Sequence, residues 1–203
     1  MKDEKKRGRP RGFDASAAIG KAREVFWDRG FSAASLDNLS AATSLNRPSL
    51  YNAFGDKEDL YLDALEGYRA DSMVALEDAL DPSLPVRENL ARMYDRALAT
   101  YLHGDTAARG CLLISTATVE AVRHERVREV LGRSLADFDR AIEDRLALAI
   151  ERGQLPEKTD PKALAQLAST IMHSLAVRAR AGETREALEA LARSGVDLIC
   201  GAP

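Results

Sequence analysis

Apolar residues in this chain recur at intervals of three and four almost from end to end, and nowhere do they alternate. A period near 3.6 puts such residues on one side of a helix, whereas a half-buried strand needs a period of two. Leu and Ala dominate and runs of β-branched residues are absent, so intrinsic preference agrees with the pattern. The fold class expected is all-α, with about nine helices and no internal repeat. At 203 residues the chain is long enough for one sizeable domain or two small ones.

Local signals divide the helices. Asp14 is a candidate N-cap for a first helix over 14–29, with Ala18, Ile19, Ala22, Val25 and Phe26 as its apolar stripe and Gly30 at the left-handed position that ends it. Ser35 caps a short helix to about residue 42, Thr43–Leu45 forms a tight turn, and Asn46 caps a third helix to Phe54 with Pro48 in its first turn. Asp56 opens a long fourth helix, Asp59 being its capping-box partner. The sequence DPSLP breaks the chain after Leu80. Further helices are expected over 84–102, 107–121, 124–152, 161–181 and 184–200.

Three short helices around a tight turn have the dimensions of a helix-turn-helix bundle. Leu36, Leu39, Ala42, Leu45, Leu50 and Phe54 face inward. The third helix is polar outside, and Arg47 and Asn52 are suited to reading base edges in the major groove. Ser35 and Tyr51 suit phosphate, Pro48 and Ser49 lie on the same short helix, and Lys57 sits at a helix start that already favours anions. Charge is divided in the same sense. Through Gly55 ten basic residues face six acidic ones, a net of +4, which leaves −7 for the remainder of a chain whose net charge is −3. A basic head on an acidic body suits a protein that meets phosphate at one end. The basic arm over residues 1–12 contains Arg7-Gly8-Arg9-Pro10, similar to an AT-hook core. On that likeness Arg7 and Arg9 enter the minor groove, while a solvated tail is the plainer alternative.

The stretch SLDNLSAATSLNRPSLYNAFGDKEDLY resembles the DNA-binding signature of the TetR/AcrR family. Ser35, Leu36, Leu39, Leu45, Leu50, Tyr51, Phe54, Lys57, Glu58 and Leu60 fall in register with it, preceded by Gly30-Phe31. Ser44 departs where the family turn has Gly, and Ala53 where His is common. The resemblance implies a DNA-binding domain over 13–58 and an effector-binding and dimerisation domain over 59–203. It also implies a homodimer through 161–181 and 184–200, and a ligand-responsive repressor holding a palindromic double-stranded operator. Leu164, Leu167, Ala168, Ile171 and Leu175, then Leu188, Leu191, Val196 and Ile199, supply apolar faces for such pairing.

The effector itself is unknown from the sequence. Tyr94, Tyr101, Cys111, Phe138 and His173 are candidate pocket residues, each with core packing as the alternative. Cys111 follows Arg109-Gly110 at a helix start, where a thiol has a depressed pKa and reacts with oxidants or electrophiles; the alternative is a small buried hydrophobe. No cofactor, metal or catalytic residue is expected: there is no glycine-rich phosphate loop, and His103, His124 and His173 share no motif. Two rival classes stay open, a nonspecific architectural DNA binder and a helical-bundle enzyme. No apolar stretch approaches the roughly 18 residues of a membrane span, and a charged N-terminus without an apolar core predicts a cytoplasmic protein.

Overall fold

The computed structural model describes residues 14–104 and 107–201, and within them the chain is helical without strands. The basic arm, with Arg7 and Arg9, lies outside the described residues. The helices are α1 (Ala15–Ala33), α2 (Leu36–Thr43), α3 (Arg47–Phe54), α4 (Lys57–Ala79) and α5 (Val86–Tyr101). A π-helical turn (Leu113–Ala117) runs into the short α6 (Thr118–Glu120), followed by α7 (Glu125–Glu151), α8 (Pro161–Arg180) and α9 (Arg185–Cys200).

The helix starts fall where side-chain oxygens can take up orphan N–H groups. Asp14 accepts from Ser16 and Ala17, Asn46 from Ser49, and Asp160 from Lys162 and Ala163. Ser35 with Asn38 and Asp56 with Asp59 form reciprocal capping boxes. Gly30 has φ 74° and ψ 170°, a conformation essentially reserved for glycine, and there α1 kinks instead of ending. The kink carries Phe31 against Tyr61 of α4, ring centroids 5.0 Å apart.

The expectation of a regular helix over 107–121 is corrected. The chain is irregular up to Cys111 and then takes the π turn. Gly110 explains the irregularity: its φ is 67°, and a Cβ there would stand 2.6 Å from the carbonyl oxygen of Ala176 in α8. The backbone crosses α8 too closely for a helix of ordinary side chains to begin earlier.

α1 to α3 bury Ala22, Phe26, Leu39, Leu50 and Phe54 in a small core closed by Leu60 and Tyr61 of α4. Side chains of this size each contribute about 1.5–3 kcal/mol on burial. The larger body packs α5, α7, α8 and α9 around one another, with α4 reaching from the head into it. At the α4–α5 corner the buried Arg145 donates to Asn89 Oδ1 (2.6 Å) and to the Leu84 carbonyl (2.7 Å). Asn89 donates in turn to the carbonyls of Ala79 and Asp81, which fixes the turn the DPSLP break introduces. No described helix is long and apolar enough to cross a membrane.

Candidate functional site

At 3.6 residues per turn, Arg47, Pro48, Tyr51 and Asn52 share one side of α3, away from Leu50 and Phe54. All four are exposed, Tyr51 at 49 %, while Ser49 is half-buried at the edge. An exposed aromatic ring beside Arg and Asn on a short capped helix is suited to insertion in a groove. Ser35 stands exposed at the start of α2, its hydroxyl donating to Asn38 Oδ1 at 2.8 Å.

Arg47 is not free. Its Nη2 reaches both carboxylate oxygens of Asp37 in α2 at 2.7 and 2.8 Å, and Nε reaches one at 3.1 Å. The guanidinium is therefore aimed by α2 before any partner arrives. Asp37 and Arg47 lie ten residues apart on different helices, a spacing with no helical periodicity for sequence reading to detect.

Lys57 receives a different task from the one expected. Its ammonium donates to the carbonyls of Phe31 (2.9 Å) and Ala34 (3.1 Å) and sits 4.3 Å from the centroid of the Phe31 ring. Carbonyls freed near the end of α1 need donors, and this charge supplies them. Two of its three N–H groups are thus spent inside the protein, which makes Lys57 a brace between α1 and α4. Ser44 holds φ 59°, so the turn does require the left-handed conformation and Ser tolerates it in place of Gly.

A cavity of about 340 Å³ lies in the body among α4, α5, α7, α8 and the π turn. Of the five expected pocket residues, Tyr101, Cys111, Phe138 and His173 line it. Tyr94 does not: it is fully buried elsewhere and donates to the Ala168 carbonyl at 3.2 Å, a satisfied core tyrosine. Sequence reading missed Tyr68, Ser72, Met93 and Arg96, because α4 and α5 carry ordinary amphipathic patterns and nothing local marks a face that borders a void.

The activated-thiol reading of Cys111 is also corrected. Burial pushes the thiol above its ordinary range, and the Tyr68 hydroxyl donates to its sulfur at 3.4 Å. Arg109 turns away to Glu24 and to Asp28 (3.0 Å) in α1. Cys111 is therefore held as a protonated thiol in the cavity wall. Among the described residues no group of three His, Cys, Asp or Glu side chains is placed to hold a metal.

The segment after Cys111 touches both the cavity and the head. Leu113 and Ile114 line the cavity. Thr116, within the same π turn, shares a 2.7 Å hydrogen bond with Tyr61 of α4. Beyond it, Glu120 accepts from Ser32 of α1 (3.0 Å), and His124 meets Glu58 of α4 (2.9 Å) and packs edge-on to Phe31.

A capped trihelical head with an exposed polar third helix, mounted on a helical body that holds a cavity, defines a helix-turn-helix DNA-binding regulator. Residues 18–64 match the family described as bacterial regulatory proteins of the tetR family, and residues 86–194 match the tetracyclin repressor-like C-terminal domain. The HTH-type transcriptional repressor ComR of Escherichia coli K12 is 31 % identical over 190 residues, 93 % of this chain and 90 % of that protein. The HTH-type transcriptional repressor BdcR of the same organism is 29 % identical over 194 residues, covering 95 % and 92 %. Among solved structures, the TetR family regulator CifR bound to 26-base-pair operator DNA superposes with TM-score 0.85 at 33 % identity, over 97 % of this chain and 100 % of that one. The chain belongs to the TetR family of DNA-binding transcriptional regulators.

Proposed function

We propose that the protein is a ligand-responsive repressor that binds a palindromic operator as a homodimer, with α3 in the major groove. The single observation that carries the reading head is the exposed edge of α3, Arg47, Pro48, Tyr51 and Asn52, flanked by Ser49 and Ser35. Structural relatives with the same fold have been solved on operator DNA, and the curated relatives include repressors. In this reading Arg47 and Asn52 meet base edges, Tyr51 and Ser35 meet phosphate, and Arg7 and Arg9 of the arm enter the adjacent minor groove. α8 and α9 pair the two copies, and the cavity receives an effector. Its occupancy reaches the head through the π turn and α6, which contact both, beside α4, which lines the cavity with Tyr68 and Ser72 and closes the head with Leu60 and Tyr61.

The test is a fluorescence-anisotropy titration on an operator selected with the parent protein. Arg47→Ala and Asn52→Ala each cost about 1–3 kcal/mol and relax preference at particular bases. Equal losses on every sequence would assign α3 to phosphate contact alone and favour the architectural reading.

A further inference from the structure

The chemistry of the cavity wall is unusually one-sided. Eighteen residues line it and none is acidic. The one arginine, Arg96, is ion-paired with Asp78 and donates to the Ala75 carbonyl at 3.3 Å, so its charge is already met. His173 is kept neutral by burial. A charged ligand would find no free counterion among the lining residues. Most of the remaining surface is hydrocarbon, sulfur and ring, with Leu76, Met93, Phe138 and Met172 among it.

Polar handles gather at one wall. Tyr101 is 5 % exposed and lines the cavity, yet its hydroxyl has no hydrogen-bond partner among the described residues. Bordering the cavity, that hydroxyl is left to water, which an incoming acceptor oxygen can replace. Near it the Tyr68 hydroxyl, with the Ser72 hydroxyl beside it, donates to Cys111 sulfur at 3.4 Å, a weak acceptor that an oxygen atom displaces. Both hydroxyls are donors waiting for an oxygen.

Resting on the reading of this cavity as the effector site, we propose that it takes an uncharged, largely apolar molecule. The molecule carries one hydrogen-bond-accepting oxygen, which Tyr101 and Tyr68 bind. At about 340 Å³ the cavity has room for a small organic molecule.

Trp27 is the chain's one tryptophan and packs edge-on to Tyr68, centroids 4.9 Å apart, so its emission reports on this wall. The full chain is titrated with 2-octanone and, at about pH 8, with octanoate, which matches it in length but carries a charge. The ketone binds with Kd below about 1 mM, octanoate at least about tenfold more weakly, and Tyr101→Phe weakens the ketone about tenfold with an unchanged melting point. Octanoate binding as tightly as the ketone, no ketone binding, or ketone affinity unmoved by Tyr101→Phe would overturn the assignment. Operator affinity is measured in parallel with saturating ketone. If the ketone binds through Tyr101 while operator affinity stays the same, the ligand class stands and the effector reading falls.

Discussion

Single residues carry tasks that their type alone does not announce. Lys57 is the clearest case: a cation at a helix start invites a phosphate, but its neighbours in space are two carbonyls and a ring. Lys57→Met should lower global stability by about 1–3 kcal/mol in chemical denaturation. Were it only a phosphate contact, the same change would leave stability untouched and flatten the salt dependence of DNA binding by about one unit of slope. His173 gives a pH signature. Burial lowers its pKa beneath the ordinary 6.5. The unfolded chain therefore binds the proton first as pH falls, and stability is present above 6.5 and lost progressively below it. His173→Gln should shallow that acid-side loss in melting experiments between about pH 7 and 5. If the parent and the variant lose stability in parallel, the neutral buried imidazole is wrong.

At the scale of elements, the segment from Cys111 to His124 joins cavity to head. The Tyr61 hydroxyl donates to Thr116, whose own proton goes to the Leu112 carbonyl, and the Ser32 hydroxyl donates to Glu120; on the proposed reading these bonds carry the coupling. Thr116→Val should leave operator affinity within about twofold while shrinking the effector response, since a coupling of 1–3 kcal/mol rests on few contacts. An unchanged response would move the coupling elsewhere, with α4 itself the next element to test. This segment is also where sequence reading fell short. The caps at Asp14, Ser35, Asn46 and Asp56 are local chemistry, and they placed the first four helices to within a residue or so of their starts. The π turn depends on Gly110 meeting α8, a contact between residues sixty-six positions apart, and no window of sequence contains it. Likewise four of the five candidate residues, legible as polar or soft side chains on apolar helices, line the cavity. Tyr94 was not separable from them, because its partner is a backbone carbonyl on another helix.

For the whole molecule, charge and symmetry decide how DNA is met. The excess positive charge sits in residues 1–13, six basic side chains against two acidic, while residues 14–55 carry four of each and the body is acidic, so approach by the end that bears the arm is favoured and approach through the body opposed. Val177 in α8 and Leu198 in α9 are exposed at 57 % and 69 %, an uncovered apolar surface on the two helices proposed to pair. Leu198→Glu should shift the protein toward monomer in sedimentation velocity and weaken operator binding, because one head then loses its partner's contribution. The most direct measurement of the central claim is recovery of genomic fragments by the purified protein at low and at high salt, read by sequencing, with Asn52→Ala beside the parent. A small set of palindromic sites that survives high salt with the parent and fades with the variant is the predicted result. Uniform enrichment that vanishes with salt for both proteins would contradict it, since that is counterion-driven binding blind to sequence.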